Sequence, residues 1–277
     1  MKFNLDEFAE NLTAKDGIYF SASNREISYP EAGNQSCFEL EDSSFWFKHR
    51  NNCILSAVKK IAADKVFFDI GGGNGFVSSG LEKNGLATVI VEPGIQGCLN
   101  AKTRGMTNII CSTLEDAAFK KESIESVGLF DVVEHIEKDV DFLKAIAAYM
   151  KKDGHVFITV PAYKWLWSNE DDIAGHYRRY TLRTIEETLK KAGFQMVYKS
   201  YIFSILPLPI FFFRSIPSKL GFAPKNMDQE KAKKEHGKKA GFISRMIDKI
   251  WNWELKKIQN GKRINFGSSC FVIAKKR

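Results

Sequence analysis

Lys65-Val-Phe-Phe-Asp-Ile-Gly-Gly-Gly-Asn-Gly75 is the stretch that decides the fold. Its first half is a short β-branched and aromatic run of the kind that forms a buried strand. Its second half is a glycine turn through which the backbone can approach a ligand closely, and the helix expected after it, running to the cap pair Asn84-Gly85, offers free N–H groups at its start.

The same rhythm repeats on the C-terminal side. Ala87–Glu92 reads as a second strand, Asn108–Cys111 as a third, Ser126–Phe130 as a fourth and His155–Val160 as a fifth, with an amphipathic helix over Val140–Met150 before the last of these. Thr181 reads as the cap of a helix that ends at Gly193, the chain is extended again from Gln195, and Cys270–Ala274 is the last strand. Near-continuous apolar strands alternating with helices imply an α/β fold whose mostly parallel sheet is covered on both faces. On the N-terminal side a helix is expected from Phe45, because Phe45, Trp46, His49, Ile54, Ala57, Val58 and Ile61 recur at near-helical spacing. Residues 1–44 read as an irregular lead-in, 45–203 as the core, 204–265 as an aromatic and basic, mainly helical insertion, and 266–277 as the final strand of the core.

Composition agrees with this division. The chain has 277 residues, 44% hydrophobic and 27% charged, which excludes a disordered, collagen-like or coiled-coil protein. Its net charge of +8 is unevenly spread: residues 1–46 hold nine acids and three bases, residues 201–277 seventeen bases and five acids. Five cysteines (Cys37, Cys53, Cys98, Cys111, Cys270) without a C-x-x-C pair point to reduced thiols rather than a disulfide framework or a thiolate zinc site. The opening MKFNLDEFAEN lacks an apolar signal-like core, and no uncharged apolar stretch reaches the ~20 residues of a membrane span, so a cytoplasmic location is expected.

The glycine turn is not the dinucleotide fingerprint. G-x-G-x-x-G would need glycine at position 76, which is Phe76, and Asp69 just before the first glycine would repel a pyrophosphate. A carboxylate there suits an amino-acid ammonium group, and Glu92, twenty-three residues on, is placed to accept from two ribose hydroxyls. A ligand with a ribose and an amino acid but no pyrophosphate is S-adenosylmethionine. The Asp-x-Gly-x-Gly-x-Gly turn, Glu92 and Val127-Gly-Leu-Phe-Asp-Val-Val-Glu-His135 together resemble class I S-adenosylmethionine-dependent methyltransferases, and among them the small-molecule group that includes the ubiquinone-pathway O-methyltransferases.

The resemblance spans Phe45 to Phe203 and the final strand. It implies a Rossmann-like, seven-stranded sheet whose last strand is antiparallel and inserted beside the fifth. It implies S-adenosyl-L-methionine as the cofactor, with Asp69, Gly71, Gly73 and Gly75 at its methionine end, Glu92 at the ribose, Thr113 and Leu114 flanking the adenine, and Phe130 and Asp131 bordering the sulfonium.

Methyl transfer needs an aligned nucleophile, and a base where that nucleophile is protonated. The ends of strands four and five carry the candidate bases His135 and His176. Tyr163, Trp165 and Trp167 are candidates for an aromatic wall against the acceptor, and Arg178 and Arg179 for a clamp on a phosphate or carboxylate. His49 and Arg50 lie on the helix that covers the donor site in this superfamily. Asp131-x-x-Glu134-His135 is similar to an acid-x-x-Glu-His metal pattern of some ubiquinone-pathway enzymes, but Asp stands where that pattern has Glu, and no metal is expected.

Ser200–Phe213 is uncharged, is broken by two prolines and leads into Arg214, Lys219 and the lysines from Lys225 to Lys239. It suits a substrate lid, a homodimer contact or peripheral contact with the inner membrane face through residues 200–239. The expected function is methyl transfer to a small-molecule or lipid- or sugar-linked acceptor, at a hydroxyl oxygen. A nucleic-acid methyltransferase and a non-catalytic binding module are the alternatives; the chain lacks Asn/Asp-Pro-Pro-aromatic after strand four, lacks Pro-Cys, and no nucleic-acid partner is expected.

Overall fold

A computed structural model describes residues 4–22, 37–222 and 242–277. The turn residues Gly33-Asn34 of the lead-in and the lysines from Lys225 to Lys239 lie outside the described residues. The strands are β1 (Thr13–Lys15), β2 (Ile18–Phe20), β3 (Phe67–Ile70), β4 (Thr88–Val91), β5 (Ile109–Cys111), β6 (Ile124–Phe130), β7 (Met150–Pro161), β8 (Phe194–Ile202) and β9 (Ser269–Lys276). They form one sheet in the order β1-β2-β5-β4-β3-β6-β7-β9-β8. The five central strands from β5 to β7 are parallel, and β9 is inserted antiparallel between β7 and β8.

The sheet thus has nine strands rather than seven. The lead-in is not irregular throughout: Thr13–Phe20 is a hairpin turning at Asp16-Gly17, both at positive φ, and β2 joins the parallel edge beside β5. All three β1 residues are exposed, so burial left no apolar alternation there to read.

The described helices are α1 (Phe45–Ile61), α2 (Phe76–Glu82), α3 (Ile95–Thr103), α4 (Asp139–Tyr149), α5 (Asn169–Ala174), α6 (Leu182–Lys191), α7 and α8 (Phe242–Gln259). Three consecutive pieces make α7: Pro207–Ile210, a π turn at Phe211–Ser215, and Ile216–Lys219. Local chemistry sets the boundaries. Ser44 accepts from the N–H groups of Trp46 and Phe47 to start α1, and Thr181 with Thr184 closes a capping box at the start of α6.

The strands' two-residue period feeds three clusters of buried side chains, the smallest of them around Ile18, Ile90, Cys98 and Ile109. Phe68, Ile158 and Val272 pack on one face with Leu143 and Ile146 of α4 and Ile185 and Leu189 of α6. Phe67, Phe157 and Phe271 pack on the other with Cys53, Ile54 and Val58 of α1 and Trp251 and Ile258 of α8. The second half of the 204–265 insertion therefore belongs to the body of the protein: α8 lies on α1 as part of this second core. No helix among the described residues is long and apolar enough to cross a membrane.

Glu254 fastens α8. Its carboxylate is fully buried and accepts from Phe203 N (2.9 Å), Ser204 N (2.6 Å) and Ser204 Oγ (2.5 Å), with His49 Nε2 at 2.9 Å. The His49 ring also stacks on Trp251. Phe203 stands at φ 62°, so the same carboxylate secures a left-handed turn at the end of β8. Burial pushes the Glu254 carboxyl up, but the bonds from His49 and Ser204 outweigh it and hold the group below its ordinary 4.5. A depressed carboxyl contributes stability that is present above the unfolded value and lost as pH falls through the folded one. Glu254→Gln is expected to cost about 3 kcal/mol at neutral pH, a gap that narrows as pH drops below 4.5. Urea midpoints across that range measure it, and parallel curves for the two proteins would contradict the assignment.

Candidate active site

The glycine turn leaves β3 with Gly71, Gly73 and Gly75 all at positive φ, a conformation that other residues reach only at a cost. Two glycines are also tight against neighbours: a Cβ on Gly72 would stand 2.6 Å from Ile90 Cγ1, and one on Gly75 2.8 Å from Ala101 Cβ. At Gly73 a Cβ would meet nothing within 4 Å, so the turn is pressed against the protein on one side and open on the other. Gly97, not singled out in the sequence, lets α3 approach, since a Cβ there would stand 2.8 Å from the Gly73 carbonyl and 2.9 Å from Glu92 Cγ.

Two carboxylates flank the turn from neighbouring strands. Asp69 is buried, accepts from Ser78 Oγ at 2.6 Å and is pushed up to about 6 by burial. Glu92 is buried at the end of β4, accepting from Gly73 N and Gly94 N at 2.8 Å each. Burial raises its pKa, and the two backbone bonds oppose the shift. A carboxylate has about four lone-pair positions, so each Glu92 oxygen keeps a further one for a hydroxyl.

The lead-in reaches this crevice. Glu41 packs beside the turn, with Asn74 Nδ2 at 3.4 Å and Arg104 NH2 of α3's C-cap at 3.0 Å. Arg50 of α1 donates to Asp131 Oδ2, lies over the rings of Trp46 and Phe47, and acts electrostatically on Glu41, Asp69 and Glu134. Asp131 itself stands at φ 57° at the exit of β6 and accepts from Thr159 Oγ1 at 3.0 Å.

Three further residues expected at the cofactor have these surroundings. The Phe130 ring turns into the second core and stacks on Phe67, because β6 alternates its faces there. Leu114 is buried in the first core, and Thr113 spends its hydroxyl on Asp116 within a turn.

Beyond the exits of β6 and β7, His135 and His176 meet edge to face with ring centroids 4.7 Å apart. His176 Nδ1 is 2.8 Å from Asp171 Oδ1; an ionised carboxylate can only accept, so Nδ1 carries the proton and Nε2 is the basic position. Asp171 is almost fully buried and also takes Arg179 through Nε at 2.7 Å and NH2 at 3.0 Å. Burial raises its pKa, while His176 and Arg179 more than compensate and hold it below the usual range. His135 is pushed down to about 4 by burial and by the neighbouring His176, and is neutral at physiological pH. Glu134 is buried, its Oε2 has no hydrogen-bond partner among the described residues, and burial and Asp131 both raise its pKa.

Both arginines expected to form a clamp are already paired. Arg179 is committed to Asp171, and Arg178 pairs with Asp139 at 2.9 Å and donates to the Glu137 carbonyl. Of the three aromatics, Tyr163 stacks with Trp165 and Tyr201 and meets Phe266 at a tilt, whereas the Trp167 indole turns away to donate to Asp172. Glu134, His135 and His176 each bring one potential ligand atom within 4.8 Å of the others, a grouping that could hold a metal ion. Asp131, the first acid of the metal-like pattern, is outside that group and holds Arg50 instead.

The family model described as a methyltransferase domain matches residues 47–199. No curated relative matches the sequence. Among solved structures, a Haloferax volcanii putative methyltransferase in complex with the Trm112 activator shares 14% identity at a TM-score of 0.54, over 88% of this chain and 95% of that one. Haemonchus contortus phosphoethanolamine N-methyltransferase 2, in complex with S-adenosyl-L-methionine, shares 17% at 0.53, over 91% of this chain and 58% of that one. The plantazolicin methyltransferase BamL, bound to a triazolic desmethyl analogue and S-adenosylhomocysteine, shares 14% at 0.54, over 90% and 92%. At such identities these likenesses speak for the fold.

Arg50→Met removes a buried cation from among four acids and is expected to destabilise the protein by about 3 kcal/mol. Urea denaturation at neutral pH measures this; a loss under about 0.5 kcal/mol, the range of an ordinary surface change, would remove Arg50 from its central place.

Proposed function

The chain belongs to the methyltransferase-domain family and is an S-adenosylmethionine-dependent enzyme, and from that premise we propose that it transfers the methyl group to a hydroxyl oxygen of a small-molecule or lipid- or sugar-linked acceptor, with His176 as the base. The observation that carries this reading is the Asp171–His176 pair, which fixes the ring's tautomer and leaves Nε2 as its basic atom beside His135.

The donor fits the crevice on three counts. The turn is open at Gly73 and closed at Gly72 and Gly75, so a ligand can reach the backbone from one side only. Asp69 is a buried carboxylate suited to an ammonium group, and Glu92 retains lone pairs for a ribose diol. When bound, S-adenosylmethionine supplies an electrophilic sulfonium methyl. The protein's own work is then alignment, exclusion of water and removal of one proton.

His176 Nε2 accepts the acceptor's hydroxyl proton as the oxygen–carbon bond forms and the carbon–sulfur bond breaks. Asp171 stabilises the resulting imidazolium, as a buried carboxylate does for a histidine base. His135, uncharged at neutral pH, positions the hydroxyl rather than removing its proton. Tyr163 and Trp165 provide ring faces on the acceptor side.

Two measurements test the reading. Glu92→Gln turns one accepting oxygen into a donor facing a backbone N–H, and donor affinity by calorimetry is expected to fall at least about tenfold. His176→Ala is expected to keep donor affinity and to lower kcat about 100-fold or more on hydroxyl acceptors. Unchanged turnover in His176→Ala would remove the base.

A further inference from the structure

Five of the thirteen large apolar side chains exposed among the described residues crowd into fifteen positions: Leu208 (57%), Phe212 (57%), Phe213 (77%), Leu220 (63%) and Phe222 (79%). They share the outer side of α7 and the turn after it. The inner side is fully engaged. Ser215 Oγ donates to the Leu166 carbonyl at 2.9 Å, Ser218 Oγ accepts from Asn169 N at 2.8 Å, and the Phe211 ring meets Trp165 edge to face at 5.2 Å. The exposed rings thus stand on a segment bolted to the 163–171 stretch that carries Tyr163, Trp165 and Asp171.

Charge says what such a face suits. No Asp or Glu occurs in the sequence between Glu187 and Asp228, whereas Arg214 and Lys219 lie within α7 and six lysines against three acids fall in residues 223–241. Arg214 is paired with Glu170, and cations still outnumber acids along this stretch; apolar side chains with such a surplus of cations complement a surface that is apolar inside and anionic at its rim. A second copy of the chain complements it poorly, since a two-fold contact sets the same cations against one another.

We propose that the outer face of α7 is a membrane-docking surface, seated on a bilayer with anionic headgroups and turning the acceptor side of the crevice toward the lipid. Phe212 and Phe213 enter the headgroup–acyl boundary, and Arg214 and Lys219 remain among the headgroups. The acceptor is then a hydroxyl on a lipid-anchored molecule. That last step rests on the methyl-transfer reading above, whereas docking does not.

The full chain is sedimented with phosphatidylcholine vesicles with and without phosphatidylglycerol, at low and high salt, beside a Phe212→Ser/Phe213→Ser variant. The expected result is at least tenfold stronger binding to the anionic vesicles at low salt, loss of that preference at high salt, and at least tenfold weaker binding by the variant. Calorimetric binding of S-adenosylmethionine, unchanged in the variant, shows that it is folded; should it fail there, Leu208→Ser/Leu220→Ser takes its place. Equal sedimentation of variant and wild type overturns the proposal. So does indifference of the wild type to both vesicles, including the case where light scattering finds a dimer that the variant splits. Failure of the wild type to bind S-adenosylmethionine would sink the transfer reading and leave the vesicle result standing.

Discussion

Four carboxyl groups from different parts of the chain converge where the parallel strands end, and the guanidinium of Arg50 stands among them. Glu41 comes from the lead-in, Asp69 from β3, and Asp131 and Glu134 from the exit of β6. Burial raises the pKa of Glu41, Asp69 and Glu134, and Arg50 opposes the rise in each. A crevice for a cationic ligand must concentrate negative charge, and a folded chain tolerates that only when a cation is built in. Because Arg50 belongs to α1, the same contact holds the covering helix against the sheet, and the proposed donor site and the fold share one fastening.

The central fold was legible because its signals are local. The run from Lys65 to Gly75 holds a strand, a turn that needs left-handed residues and a helix start within eleven positions, and Thr181 announces α6 by its cap. The antiparallel last strand followed from the resemblance, and β9 takes that place. What could not be read depends on distant partners. Arg178 and Arg179 look like a clamp in sequence, and only the fold shows Asp139 and Asp171 occupying them. The Phe130 ring follows strand alternation into the core, although its position beside Asp131 suggested the crevice. Glu41 and Arg104 gave no signal: single charges on unremarkable segments, sixty-three positions apart, became a pair at the glycine turn.

The insertion divides in the same way. Its α8 half reads as basic and aromatic, yet Trp251, Glu254 and Ile258 turn inward at helical spacing while the lysines stay out. Its α7 half has the opposite character, with serines inward and phenylalanines outward. Average composition does not separate these two faces; the partners of each side chain do.

The place of β9 bears on how the chain is made. β8 touches the rest of the sheet only through β9, which pairs with β7 on its other side. On the ribosome, β8 emerges 66 residues ahead of the strand that must receive it, counting from Ile202 to Ser269. Throughout that interval β7 presents a bare, apolar edge to solvent or to a chaperone, and the nascent protein stays open to mispairing until β9 arrives.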